Sequence, residues 1–208
     1  MRRVNSLNAS DKRDLGPPTF VDVFAGCGGL SLGLMQAGWQ GLFAIEKNAD
    51  AFQTLHDNLS SAESRFQYAW PKWLPKRPLT VNSLLRNNRK QLEKLSGRVD
   101  MLVGGPPCQG FSSAGRRDPS DPRNQLVRAY LRLVKLIKPR IVLIENVRGI
   151  TSDFVDEATT SGTRNYARWI IDALSSDYSV SGRARWYPRR SPDAGLRPSC
   201  RCRSPPPD

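Results

Sequence analysis

Phe20-Val21-Asp22-Val23-Phe24-Ala25-Gly26-Cys27-Gly28-Gly29 is a short apolar run that breaks into a glycine-rich turn. Residues 20–24, bounded by Gly26, read as a buried strand, and residues 30–37, stopped at Gly38, read as a helix. A second strand over 42–46 and a second helix over about 49–58 follow. Strand, glycine-rich turn, helix, strand, helix is the opening of an α/β fold built on a doubly wound, mostly parallel sheet. The pattern continues downstream with a helix over 84–95 and a strand over 99–103 that runs into Gly104-Gly105-Pro106-Pro107-Cys108. A helix over 124–138 ends before Pro139, Ile141-Val142-Leu143-Ile144 is the clearest buried strand, and 164–174 is the last helix. Residues 60–80 carry Trp70, Trp73, Pro71, Pro75 and Pro78 and read as an irregular excursion.

The size and charge of the chain set limits on what it does. At 208 residues and 38% hydrophobic content it can bury one ordinary core. A net charge of +13 points to a polyanionic partner such as nucleic acid. That charge is uneven: residues 181–208 hold seven Arg, two Asp and six Pro, so five of the thirteen net charges lie in a stretch that cannot pack as core. The expected organisation is a flexible lead over 1–18, a domain over 19–180 and an Arg/Pro-rich disordered tail over 181–208. No apolar run approaches the roughly 18 residues of a membrane span, and Met1 to Asn8 lacks the apolar segment of a signal peptide, so no membrane partner and a cytoplasmic location are expected. Cys27, Cys108, Cys200 and Cys202 are too unevenly placed for a disulfide framework. With His56 as the single histidine, a two-His metal site within the chain is excluded, and no metal is expected.

In an open parallel sheet, ligands bind beyond the carboxyl ends of the strands. After the first strand, the turn from Phe24 to Gly29 lets backbone approach a ligand, and the following helix offers its N-terminus. After the second, Glu46 is placed to accept hydrogen bonds from the hydroxyls of a ribose. The Gly-x-Gly-Gly spacing differs from the Gly-x-Gly-x-x-Gly of dinucleotide binders and favours a nucleoside ligand without a pyrophosphate. After the third, two prolines fix the backbone before Cys108, whose thiol, with a free pKa of about 8.5, needs only a modest shift to become a nucleophile. Gly104, Gly105 and Gly110 keep that loop open to a close-lying substrate. After the fourth, Glu145 sits at the floor or edge of the same cleft, where partial burial would let it carry a proton.

Taken together, Phe24-Ala25-Gly26-Cys27-Gly28-Gly29, Glu46, Gly104-Gly105-Pro106-Pro107-Cys108-Gln109-Gly110-Phe111-Ser112 and Glu145-Asn146-Val147 resemble, in order and spacing, the motifs of the DNA (cytosine-5) methyltransferases. The resemblance runs from about residue 18 to about 180. It implies the Rossmann-like fold of S-adenosylmethionine-dependent methyltransferases, incomplete at the C-terminus. It also implies methyl transfer from S-adenosyl-L-methionine to carbon 5 of a cytosine flipped out of double-stranded DNA. Cys108 would add to carbon 6, and Glu145 would act as acid or hydrogen-bond donor at ring nitrogen 3. Cofactor contacts would come from Phe24, Gly26, Cys27, Gly28, Gly29, Leu30, Glu46 and Pro106. Pro107, Gln109, Gly110, Ser112 and Asn146 would lie against the target base, and the folded chain would be a monomer.

Two departures accompany the resemblance. The Asp that the family carries near the end of its own third strand, to contact the cofactor adenine, has no carboxylate counterpart in the corresponding residues 78–84, leaving Thr80 or Asn82 to substitute. Beyond residue 180 the further strand, the Gln-x-Arg motif and the target-recognition domain are missing. The tail is either a basic arm for phosphates or, as its sudden loss of Val, Ile and Lys favours, out-of-frame sequence after a truncation. The alternatives to a DNA methyltransferase are a non-catalytic DNA- or cofactor-binding remnant and a tRNA cytosine-5 methyltransferase.

Overall fold

Strands with apolar side chains on both faces need cover on both faces, and that requirement organises this chain. The computed structural model describes residues 16–106, 124–146, 150, 153–155 and 163–178. Along it run β1 (Thr19–Val23), α1 (Gly29–Gln36), β2 (Gln40–Ile45), α2 (Ala49–Leu59), α3 (Val81–Asn87), α4 (Arg89–Glu93), β3 (Met101–Gly104), α5 (Asn124–Ile137), β4 (Ile141–Ile144), β5 (Asp153–Val155), β6 (Thr163–Asn165) and α6 (Tyr166–Leu174). The first four strands form one parallel sheet in the order β2-β1-β3-β4, and β5 and β6 pair as a separate antiparallel hairpin. The doubly wound reading therefore holds. The helix expected over 84–95 is divided into α3 and α4 at Asn88, which caps both, and the hairpin was not anticipated.

Alternation along β1 sorts the core into two layers. Phe20 packs with Ala44, Met101 and Val103 beneath Met35 of α1 and Leu55 and Leu59 of α2. Val21 and Val23 face the other way, with Phe43, Ile45 and Leu102, towards Leu84 of α3 and Val127, Tyr130, Leu133 and Val134 of α5. Tyr130 is fully buried, and its hydroxyl lies 3.1 Å from the carbonyl oxygens of both Leu102 and Leu143, so one phenol proton is shared between two strands. At the amino ends of the strands, Asp100 accepts from the Thr19 amide at 2.9 Å, from the Thr19 hydroxyl at 3.0 Å and from Arg140 at 3.1 Å. Those bonds, the backbone one first, hold its carboxyl below the usual carboxylate range.

The sheet is not equally covered throughout. Strand β4 pairs with β3 along one side, and among the described residues nothing pairs with its other side. Register places Ile141 beside Met101 and Leu143 beside Val103, on the face that α1 and α2 cover. There Ile141 and Leu143 keep 46% and 39% of their surface exposed. The expectation that 141–144 is the best-buried strand is thus corrected. No described helix is long and apolar enough to cross a membrane.

Candidate active site

Because β1 connects outward to β2 on one side and its other neighbour is β3, the sheet's switch point lies between β1 and β3, where a crevice opens at the carboxyl ends. The turn leaving β1 is strained. Phe24 has φ 63°, an uncommon value for an aromatic residue, followed by positive φ at Gly26 (55°) and Gly28 (88°). Two amides hold it in place, since Phe24 N–H and Ala25 N–H both donate to the Ile45 carbonyl, at 2.8 and 3.1 Å. Gly28 caps α1 in the left-handed conformation without any side-chain bond, which leaves the first-turn amides of α1 for an outside acceptor. A side chain at position 28 would also meet Leu59 at 2.9 Å, so glycine is required there twice over.

Glu46 leaves the end of β2 and reaches across to this turn. Its Oε2 accepts the Gly26 amide at 2.9 Å, and its Oε1 accepts those of Lys47 and Asn48, each at 2.8 Å. Three backbone donors orient the carboxylate, and the remaining lone pairs are left for hydroxyl donors. Phe24, Glu46 and Lys47 line a cavity of about 390 Å³ with Leu79, Thr80, Asn82, Gly105 and Leu126. Residues from β1, β2, the loop before α3, β3 and α5 thus meet at the switch point. Of the two substitutes for the missing Asp, Thr80 is engaged at the N-terminus of α3, accepting the Ser83 amide at 3.1 Å. Asn82 lines the cavity and accepts the Arg132 guanidinium at its Oδ1, at 3.1 Å.

Other expected cofactor residues fall elsewhere. Cys27, Gly28 and Gly29 line a larger cavity of about 600 Å³ against Asp57, Asn58, Arg65 and Phe66, to which no other strand end contributes. Leu30 is exposed on α1. Pro106 is buried, with its carbonyl oxygen accepting Asn146 Nδ2 at 3.0 Å.

The ends of β3 and β4 meet directly. Glu145 N–H donates to the Gly104 carbonyl at 3.0 Å, and a side chain on Gly105 would stand 2.9 Å from Glu145 Oε2. At Gly104 glycine is a packing requirement, since a side chain there would run into the Val23 carbonyl and stand 3.0 Å from Tyr130. Glu145 is exposed rather than partly buried as expected. Cys108, with Pro107, Gln109, Gly110 and Ser112, lies outside the described residues. So does Val147.

The sequence reading missed a buried polar chain beneath the turn. Asp22, in the middle of β1, is 1% exposed, and its Oδ2 accepts the hydroxyl of Ser31 in the first turn of α1. Ser31 in turn accepts the hydroxyl of Tyr68. Burial pushes the Asp22 carboxyl up to about 6, the Ser31 bond opposes this, and the nearby Glu46 charge adds to it. The signal was a carboxylate flanked on both sides by Val in a run with no other polar residue.

A doubly wound parallel sheet with an acidic residue and a glycine-rich turn converging at its switch point defines an α/β domain with a crevice at the carboxyl ends of its strands. The family model of the C-5 cytosine-specific DNA methylases matches residues 18–163, and the chain belongs to that family. It is 38% identical to the Type II methyltransferase M.DdeI of Desulfomicrobium norvegicum, over 78% of this chain and 33% of that protein. It is 39% identical to the DNA (cytosine-5)-methyltransferase PliMCI of Paracentrotus lividus over 64% of this chain and 8% of that one. A crystal structure assigned as a DNA modification methyltransferase encoded within an E. coli prophage superposes with a TM-score of 0.55 at 31% identity, covering 78% of this chain and 39% of that one. The chain spans about a third of the length of the first relatives it matches.

Proposed function

We propose that this chain supplies the cofactor and nucleophile half of a DNA cytosine-5 methyltransferase of the modification type. The observation that carries the reading is the meeting of Phe24, Glu46 and Gly105 around one cavity at the switch point, with Glu145 packed on the backbone that leads to Cys108. The cavity suits S-adenosylmethionine: Glu46 is oriented for ribose hydroxyls, Phe24 offers an aromatic face, and Asn82 presents an amide to the adenine edge. When bound, that group supplies an electrophilic methyl on a sulfonium.

The protein's own part in the chemistry is to make carbon 5 of cytosine nucleophilic. The Cys108 thiolate forms a bond to carbon 6, and the electron pair displaced from the ring is met at nitrogen 3 by a proton held on Glu145. After methylation, loss of the carbon 5 proton to solvent or a base restores the double bond and expels Cys108 as thiolate, and the nitrogen 3 proton returns to Glu145. Asn146, donating to the Pro106 carbonyl, holds the backbone just before Cys108 in place. The target base must leave the duplex to reach these groups.

The test is calorimetric titration of the 208-residue chain with S-adenosylmethionine, together with tritiated methyl transfer to mixed-sequence double-stranded DNA. Binding with incorporation that Cys108→Ser abolishes supports the reading. Binding without incorporation makes the chain a cofactor-binding module, and absence of binding overturns the reading altogether.

A further inference from the structure

Resting on the cofactor reading above, we infer that Asp22 is a positioning residue for cofactor binding: its carboxylate, acting through Ser31 and Tyr68, sets the glycine-rich turn, and the turn is held in its binding geometry only while Asp22 is ionised. Asp22 is the next-to-last residue of β1 and Ser31 lies in the first turn of α1, so the bond between them closes the loop that contains Phe24, Gly26 and Gly28. The loop has few other side-chain restraints: Gly26 is held by Glu46, and α1 lacks a side-chain cap. Tyr68 completes the chain from the far side, where its ring packs edge-on to Trp70 and against Phe20.

A buried carboxylate with hydroxyl partners is expensive unless its charge is used. Among the described residues neither Asp22 nor Glu46 has an ion-pair partner. The titratable groups around Asp22 are Glu46 at the end of β2, Tyr68 in the segment after α2 and Tyr130 on α5, and none of them is cationic. Protonation replaces the charge-assisted Ser31 bond with a neutral one of roughly half the strength and loosens the turn. Ionisation has the opposite effect and also adds negative charge near Glu46, which lines the cavity proposed for a ligand that carries a sulfonium. The carboxyl's displacement to about 6 places this change between neutral and mildly acidic pH.

The test is the affinity of the full chain for S-adenosylmethionine, measured calorimetrically from about pH 7.5 to about pH 5. One proton with a midpoint near 6 weakens binding about tenfold over this range. Asp22→Asn is expected to bind with a nearly flat profile. Ser31→Ala, which removes a bond favouring the ionised form, shifts the midpoint upward, and Tyr68→Phe tests the outer hydroxyl with the ring's packing kept. His56→Gln removes the single histidine and leaves the profile in place. A flat wild-type profile, an unchanged profile in Asp22→Asn, or loss of the profile in His56→Gln overturns the inference while leaving the cofactor reading intact. Absence of binding at every pH overturns the cofactor reading instead. In that case NMR titration of the Asp22 carboxyl carbon decides the network separately, and a midpoint unmoved by Ser31→Ala overturns it.

Discussion

Glu46 Oε2 accepts the Gly26 amide at 2.9 Å, so the carboxylate that ends β2 is fastened to the turn that ends β1. The two parts of the proposed cofactor site are therefore one unit. Glu46→Gln keeps the shape but turns an amide NH2 towards at least one backbone N–H donor. S-adenosylmethionine affinity should fall about 10- to 100-fold, the range for losing hydrogen bonds to a charged group, as measured by calorimetry. Unchanged affinity would remove Glu46 from the site.

Asn82 stands where relatives are expected to carry a carboxylate, and Arg132 already donates to it at 3.1 Å. Asn82→Asp would pair with that guanidinium and accept from the adenine amino group. A gain of about three- to tenfold in cofactor affinity is expected, corresponding to about 1 kcal/mol for one improved hydrogen bond. Weaker binding in the variant would mean that the adenine lies elsewhere.

Stability should respond to Asp22 in the direction opposite to binding. Its folded-state carboxyl titrates near 6 against an ordinary 3.8, so the folded protein holds this proton more tightly than the unfolded chain does. The stability it contributes is present below 3.8 and is lost as pH rises towards 6, by up to about 3 kcal/mol. Denaturant titration at neutral pH should find Asp22→Asn more stable than the wild type, with the difference vanishing by about pH 4.

Tyr130→Phe keeps the ring and removes the proton shared between the Leu102 and Leu143 carbonyls. A loss of about 1 kcal/mol in unfolding free energy is expected, read by urea denaturation. A change within error would show that the two carbonyls manage without it.

These relationships were legible in the sequence to different degrees. The strand ends could be read because each apolar run stops abruptly at glycine or at a carboxylate, and periodicity reports that directly. The open loop at Gly105 is legible as glycine, and the structure places Gly105 both on the cavity wall and against the Glu145 carboxylate, a neighbour the sequence does not name. Close approach between strand ends belongs to register, and register is not written in either segment alone. The Asp22, Ser31 and Tyr68 chain joins three segments up to 46 residues apart and was hidden for the same reason. Residues 60–80 offered no periodicity, yet they place Tyr68, Trp70, Leu74 and Leu79 against the core, where tertiary packing takes over from any local preference.

The uncovered face of β4 bears on how the protein can be handled at the bench. A strand that among the described residues pairs along one side only, and whose Ile141 and Leu143 keep 46% and 39% of their surface exposed, is a template onto which another copy can add. Produced alone at high concentration, the chain should associate through this edge, and Ile141→Lys with Leu143→Lys should raise its soluble yield without touching the cavity between β1 and β3.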